Sequence, residues 1–339
     1  MTATAPPVSV TDVPGLHVIA LPTPFPIGPV NIYVAAQDGL TLIDCGTALD
    51  SSFEVLIDGL AALGYSISEV SRLLISHHHT DHLGAAGRVA AAVSAAGGTL
   101  EIIAHPFGIP IIETPETARA AAQQYAGAFF RQHGVPAAVV TSLMGLESYL
   151  TTLIRPAKVT STVDEGSSFR FAGIDWRVLH TPGHAGDQLC LYDPQTGTLL
   201  SSDHILGVSK SNPLFEPPEK PGDPRPQRLI DYERELLRVA ALQPRIAYPG
   251  HGDVVHNVQA LTSDRIRKRQ LRTEKLYQLF SDQDASLYEL TRQLFWRAPE
   301  VDYLTLSEVQ GHLDILAEQG RIIPTERVNG QHAWQKHAD

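Results

Sequence analysis

The stretch Ser76-His77-His78-His79-Thr80-Asp81-His82-Leu83-Gly84 decides how the rest of the sequence is interpreted. It follows an apolar run at residues 72–76 that predicts a short buried strand, and it leads into a small-residue helix at 84–96. Single histidines are usually surface groups or hydrogen-bonded core groups, but packing does not explain four of them beside an aspartate within six positions. Imidazole and carboxylate groups are donors for borderline divalent cations. The stretch therefore predicts a metal site at a strand end, and its internal position rules out an affinity tag.

Three more candidate ligands stand further along the chain, each after an apolar run and beside glycine or at a strand end. His184 ends Thr181-Pro182-Gly183-His184, and Asp203 follows Leu199-Leu200-Ser201-Ser202. His251 lies in Tyr248-Pro249-Gly250-His251-Gly252. Side chains at such turns can converge on one rim of a sheet. These residues would supply the ligands that the first stretch lacks.

The order of the predicted elements indicates an α/β fold. Apolar runs separated by Pro and Gly predict strands at residues 16–44 and 160–206, with helical spacing between them. Residues 113–154 predict a helical insert between the two β-rich halves. After residue 258, three helices and a two-stranded ribbon are typical of a winged helix. Since 339 residues suffice for two domains, we expect a catalytic domain at 1–258 and a winged-helix-like domain at 259–339.

The ligand pattern closely resembles that of the metallo-β-lactamase-fold metallohydrolases, over residues 16–258. His77-x-His79-x-Asp81-His82 matches the HxHxDH motif of that superfamily, and His184, Asp203 and His251 follow in the same order. The resemblance implies a four-layer αββα sandwich. The tail resembles that of the winged-helix-tailed subgroup, one branch of which cleaves single-stranded RNA, and glyoxalase-II-like members hydrolyse thioesters.

The resemblance also implies the metal ligands. His77, His79 and His184 would hold one ion, Asp81, His82 and His251 a second, and Asp203 would bridge the two. Asp44, in Leu42-Ile43-Asp44-Cys45-Gly46, matches an early Asp-x-Gly that supports the ligands from behind. Class B lactamases use a cysteine ligand, but neither Cys45 nor Cys190 stands at a ligand position.

Such a ligand set predicts metal-dependent hydrolysis. Two divalent ions about 3.5–4 Å apart can share a hydroxide that attacks an acyl or phosphoryl centre. We expect Zn²⁺, with Fe or Mn as alternatives that the same ligands accept. Asp81 is the predicted catalytic residue, because it can steer the hydroxide and carry a proton to the leaving group. The sequence has no G-x-S-x-G motif that would indicate a serine nucleophile.

The remaining candidates concern the surroundings of the metals. We expect His78 and His204 to lie beside the ligands or at the surface, and His105 and His180 to be ordinary polar residues. The insert would form an apolar lid over the metals or, alternatively, a homodimer contact. Four side chains are predicted to line the substrate pocket: Phe25, Tyr125, Phe129 and Met144.

Charge bears on the choice of substrate. The formal net charge of −11 argues against a surface that binds polyanions throughout, and the tail from Gln259 carries 11 Lys and Arg against 12 Asp and Glu. The basic cluster at residues 265–272 is interpreted as a solvated helix face. We therefore expect a small ester, thioester or lactone as substrate. The alternatives are a metal-dependent phosphodiesterase or endoribonuclease and, from another class, a non-catalytic assembly protein.

The location follows from cysteine content and hydropathy. Two cysteines cannot form a disulfide framework in a chain of this length, which favours a reducing compartment. The sequence shows no secretory leader pattern and no apolar run of about 18 residues. We expect a cytoplasmic protein that acts on a small molecule and has no membrane partner; a nucleic-acid partner is disfavoured but stays open with the endoribonuclease alternative.

Overall fold

The computed structural model describes residues 8–207, 211–220 and 222–337. Its strands are β1 (Val8–Val10), β2 (His17–Leu21), β3 (Val30–Ala35), β4 (Thr41–Ile43), β5 (Arg72–Leu74), β6 (Glu101–Ala104), β7 (Ser161–Thr162), β8 (Ser168–Phe171), β9 (Ile174–His180), β10 (Leu189–Asp193), β11 (Thr198–Ser202), β12 (Ile246–Pro249), β13 (Ile322–Glu326) and β14 (His332–Lys336). Its α-helices are α1 (Asp50–Ala62), α2 (Thr80–Leu83), α3 (Ala86–Ala95), α4 (Ile109–Glu113), α5 (Pro115–Gln132), α6 (Ala137–Thr152), α7 (Arg228–Ala241), α8 (Val258–Gln278), α9 (Leu287–Leu294) and α10 (Tyr303–Glu318).

Two large sheets form the catalytic portion. The first has the order β1-β2-β3-β4-β5-β6-β7, antiparallel from β1 to β4 and parallel from β4 to β7. The second has the order β12-β11-β10-β9-β8, in which only β11 and β12 run parallel. In each sheet, the carboxyl ends of the parallel strands open onto one edge, where loops can carry functional groups.

Alternating side chains on these strands build a layered core. Along β3, Ile32 and Val34 face one cluster that includes side chains of α1 and α3, whereas Tyr33 and Ala35 face the second sheet. The outer face of the second sheet packs against Tyr232 and other residues of α7. Period-two alternation on strands buried on both sides accounts for this arrangement. The four layers are the αββα sandwich that the sequence resemblance predicts.

The helical insert and the C-terminal helices share a core of their own. The predicted hairpin is formed by α5 and α6, and its buried Phe130 and Val140 pack in one cluster with Leu276, Leu290 and other side chains of the tail. Helix α8 belongs to two cores, because Val258 at its start packs with the second sheet. The three helices and the β13–β14 ribbon expected after residue 258 are present; their classification as a winged helix stays a prediction, as does the domain boundary.

Among the described residues, no helix combines the length and the apolar character that crossing a bilayer requires.

Candidate metal centre

The seven predicted ligands come together where strands of both sheets end. His77 lies three residues beyond β5, and Asp81 and His82 lie on the short helix α2. His184 occupies the loop between β9 and β10, Asp203 directly follows β11, and His251 lies two residues beyond β12. All of them are buried except His79, which is partly buried.

Their donor atoms fall into overlapping groups. His77, His79 and His184 form one group, and Asp81, His82 and His251 form another; within each, the ligand atoms lie within 4.8 Å of one another. A third group joins Asp203 to one histidine of each, His77 and His82. The carboxylate oxygens of Asp203 are 3.5 Å from His82 Nε2 and from His184 Nε2, and 3.6 Å from His251 Nε2. Asp203 therefore stands between the two groups.

Hydrogen bonds at Nδ1 orient four of the five imidazoles. His82 donates to Asp44 Oδ2 (2.7 Å), His251 to the carbonyl of Pro29 (2.8 Å) and His184 to the carbonyl of Asn212 (3.1 Å). His77 Nδ1 is 3.0 Å from the hydroxyl of Ser76, which itself donates to Asp44. A proton held at Nδ1 leaves the lone pair of Nε2 directed towards the common centre, as in metal-binding histidines.

The Nε2 atoms supply a test of whether a cation fits here. In His77, His79, His82, His184 and His251 this atom is buried and makes no hydrogen bond, and the same holds for Asp203 Oδ1. Buried polar atoms without hydrogen bonds are costly, so six of them that converge on one point require a ligand. Imidazole nitrogens with carboxylate oxygens are the donor set of Zn²⁺ and related divalent cations. The residues fit a metal centre.

The pKa shifts differ between the two ligand groups. Burial and the neighbouring imidazoles hold the pKa of His77 and of His79 well below its usual value, so both rings are neutral at pH 7. Burial acts in the same direction on His82, but the carboxylates of Asp203, Asp44 and Asp81 outweigh it and raise the pKa of His82 well above its usual value. The imidazoles of His82 and His251 in turn lower the pKa of Asp203, against the effect of its burial. The second group thus concentrates negative charge that favours a cation.

Asp44 and Gly250 constrain the positions of the predicted ligands. Asp44 adopts a left-handed φ of 66° and accepts hydrogen bonds from the amide and the hydroxyl of Ser76 as well as from His82. A Cβ at Gly250 would lie 2.2 Å from Asp203 Oδ1 and 2.9 Å from His82 Cε1, so only glycine permits this approach. Asp44 thus lies beside the predicted ligand His82, and its role in supporting the ligands stays a prediction.

Four other histidines belong to none of the groups that the seven predicted ligands form, although the ring of His78 lies 5.3 Å from that of His79. His78 is buried and pairs with Asp187 (2.7 Å) and Glu216 (3.4 Å), which raise its pKa against the effect of burial. The ring of His204 is fully buried against Tyr232, and neither of its nitrogens makes a hydrogen bond, so no bond joins it to the ligands. His105 and His180 stack on each other at 4.0 Å in a separate group with Asp164.

Of the four predicted pocket residues, only Phe25 lies on a segment that contacts a predicted ligand. Phe25 lies in the β2–β3 loop, whose Pro29 supports His251. Tyr125, Phe129 and Met144 instead pack against the core that the insert shares with the tail, and Phe129 lies 4.6 Å from the ring of Phe215. An amphipathic helix pattern reveals an apolar face but not its partner, so the lid formed by these side chains is an expectation that their contacts do not support.

Sequence reasoning missed Arg119, the residue with which the insert does reach the metal motif. Its Nη2 donates to Thr80 Oγ1 (3.0 Å), its Nη1 pairs with Glu147 (3.1 Å), and its buried Nε makes no hydrogen bond. No local signal marks Arg119, because it stands 39 residues from Thr80 on a helix whose pattern indicates only an apolar face.

Comparison with known proteins identifies the family. The sequence model of the metallo-beta-lactamase superfamily matches residues 26–251, more than half of the chain. The chain belongs to this superfamily. A Bacillus subtilis (strain 168) protein named "Probable metallo-hydrolase YqjP" is 33% identical over 310 residues, which cover 90% of this chain and 92% of that protein.

Structural likeness extends over the whole chain. The crystal structure of a metallo-beta-lactamase family protein, TTHA1429 from Thermus thermophilus, matches with a TM-score of 0.79 at 26% sequence identity and covers 96% of this chain and 99% of that one. A more distant relative, the "Atrochrysone carboxyl ACP thioesterase" of Aspergillus fumigatus, is 26% identical over 121 residues, which cover 36% of this chain and 34% of that protein. As a member of the metallo-beta-lactamase superfamily with such relatives, the protein is a metal-dependent hydrolase.

Proposed function

We propose that this protein is a dinuclear metallohydrolase that cleaves a small thioester, within a wider range of ester and lactone substrates. The observation that supports it is the pair of three-residue ligand groups with Asp203 between them. One group of donors would hold a single ion; two groups joined by a carboxylate are suited to two.

Each group would hold one divalent cation, which we assign as Zn²⁺ because imidazole and carboxylate are its usual nitrogen and oxygen ligands. His77, His79 and His184 would hold the first ion, Asp81, His82 and His251 the second, and Asp203 both. When bound, such ions lower the pKa of water towards neutrality and polarise a substrate carbonyl. Asp44 keeps His82 in the tautomer that exposes Nε2.

Asp81 is the proposed proton carrier. Its Oδ2 lies 3.3 Å from His251 Nε2, and its pKa is lowered by His82 and His251 although burial acts in the opposite direction. A buried carboxylate that is ionised at neutral pH can accept a proton from an attacking water and pass it to the leaving group. A thiolate leaving group needs little protonation, which suits a carboxylate whose pKa is low.

The choice of a thioester is supported by the relative that is named an ACP thioesterase, although that protein and this chain align over only about a third of their lengths. The half-buried Phe25 and the loop that carries it are the proposed apolar wall for the acyl group. Arg119, which donates to Thr80 between the predicted ligands His79 and Asp81, offers a cation for a polar part of the substrate.

The experiment is a substrate panel on protein whose metal content has been measured. Elemental analysis should find two metal ions per chain, and thioesters should be hydrolysed faster than lactones, phosphodiesters and single-stranded RNA. His79→Ala should lose metal and activity, whereas His105→Gln, in the separate histidine group, should retain both. A metal content near zero after gentle purification, or preferential cleavage of RNA or phosphodiesters, would contradict the proposal.

A further inference from the structure

A cavity lies outside the candidate metal centre. It has a volume of about 210 Å³ and lies between α8, α10 and the segment that follows β11. Four cations of one face of α8 line it, at helical spacings of three and four: Arg265, Lys268, Arg269 and Arg272. The basic cluster that the sequence indicates as a solvated helix face is therefore gathered around a cavity.

In the described part of the chain, two of these cations, Lys268 and Arg272, are paired with carboxylates, and Arg269 is not. Asp264 and Glu308 are the acidic residues in its lining; Asp264 pairs with Lys268 (2.6 Å) and Glu308 with Arg272 (3.4 Å). Arg269 has no ion pair among the described residues. Its Nη2 donates to the carbonyl of Ser211 (3.1 Å), and its guanidinium lies 4.5 Å from the ring centre of Tyr232.

Like charges at these spacings repel one another, and a partly buried guanidinium without a carboxylate is costly. Burial lowers the pKa of Arg269, and the opposing effects of Tyr232, Glu233 and Glu308 compensate only in part. An anion in the cavity would remove both costs. In a chain of net charge −11, such a concentration of cations is also a local exception.

We propose that this cavity binds the phosphate group of a small anion. Guanidinium groups hold phosphate oxygens with paired hydrogen bonds, and the ammonium of Lys268 adds a point charge. The side chain of Lys268 is more than half exposed, so an anion can enter from solvent on that side. The site goes beyond the proposed hydrolysis and does not depend on which substrate the metals serve.

The cavity adjoins the metal centre through one segment of chain. Asn212 lines the cavity, and its carbonyl accepts the hydrogen bond from His184 Nδ1. The carbonyl of the preceding residue, Ser211, accepts from Arg269. Arg269 thus links an anion in the cavity to the segment that orients a predicted metal ligand.

Isothermal titration calorimetry on the full-length, metal-loaded protein tests the site, with inorganic phosphate and glycerol 3-phosphate as separate probes. We expect saturable 1:1 binding that weakens as NaCl is raised. Lys268→Gln and Arg269→Gln should each weaken it by about tenfold or more, because each removes a charge-assisted hydrogen bond. Lys275→Gln is the matched control, since it removes the same charge from an exposed position of α8 and should leave binding unchanged.

Comparing His79→Ala with Lys268→Gln distinguishes phosphate bound at the metal centre from phosphate bound in the cavity. Binding that persists in His79→Ala and is lost in Lys268→Gln supports the cavity, and a preference for either probe identifies free phosphate or a phosphate monoester as the ligand. Binding that disappears in His79→Ala and persists in Lys268→Gln would place the anion at the metals and overturn the proposal. Absence of saturable binding at millimolar concentrations would overturn it as well. Arg269 contacts Tyr232, so thermal melting checks its variant, while the exposed Lys268 keeps the test valid if that variant misfolds.

Discussion

At the scale of single residues, Asp203 carries the strongest prediction. Its carboxylate lies within 3.6 Å of His82, His184 and His251 alike. Asp203→Asn keeps the volume but removes the charge and one acceptor, so we expect turnover to fall by about 100-fold or more with little change in the fold. Elemental analysis, steady-state kinetics and circular dichroism measure metal content, turnover and fold.

Asp164→Asn is the matched control for that substitution. Asp164 belongs to the separate group with His105 and His180, and its exposed carboxylate lies away from the seven ligands. The control should retain metal and turnover. Unchanged turnover in Asp203→Asn would show that the bridging assignment is wrong.

The sequence predicts those site residues that lie close together along the chain or at recognisable strand ends. His77, His79, Asp81 and His82 fall within six positions, and the distant His184, Asp203 and His251 stand at strand ends beside glycine or polar turns. Arg119 could not be predicted, because its position beside Thr80 depends on how α5 docks. His78 was equally ambiguous, since its partners Asp187 and Glu216 are more than a hundred residues away.

At the scale of elements, the end of β12 must approach β11 and α2 closely. Gly250→Ala would place a methyl group 2.2 Å from Asp203 Oδ1, and the carboxylate would have to move. We expect metal affinity and turnover to fall by about 10- to 100-fold, as when groups that support ligands are displaced. Gly145→Ala is the control: apart from its own helix, no atom of the described residues lies within 4 Å of its added Cβ, and alanine should stabilise α6 slightly. Full activity in Gly250→Ala would refute the steric argument.

The docking of α5 on the tail predicts an acid-sensitive contact. His133 follows α5, is 5% exposed, and stacks on Phe129 at 3.8 Å and near Trp334 at 5.1 Å. Burial lowers its pKa from 6.5 to about 4. Because the unfolded chain then binds a proton more readily than the folded one, stability that is present above pH 6.5 is lost as pH falls towards 4, by up to about 3 kcal/mol.

The measurement is the dependence of Tm on pH. His133→Phe should flatten the decline of Tm between pH 6.5 and 4 relative to the unmodified protein. The control, the same substitution at the exposed His256, should not flatten it. An unchanged slope in His133→Phe would mean that this contact does not control acid stability.

At the scale of the whole molecule, the layered αββα arrangement follows from periodicity, whereas the docking of its additions does not. The alternation along β3 determines that both faces of the first sheet are covered. The apolar positions of α5 and α6 indicate burial, yet they fit a metal lid, a dimer contact or the tail equally well. Only tertiary structure distinguishes these partners, because all three offer apolar area of the same kind.

That shared core makes the tail essential for the insert. Removing residues 259–339 would expose Phe130, Val140 and Leu143, which are at most 5% exposed in the intact chain. At about 1.5–3 kcal/mol for each large apolar side chain, the loss is comparable with the stability of a typical domain. We therefore expect the truncated chain to bind a hydrophobic dye and to be cleaved by protease within 113–154, even though the predicted metal ligands all lie before the cut. Supplying residues 259–339 as a separate polypeptide should reverse both effects if the contact is a true core. A truncated chain that resists protease and melts at the temperature of the full protein would show that the insert folds on the catalytic portion alone.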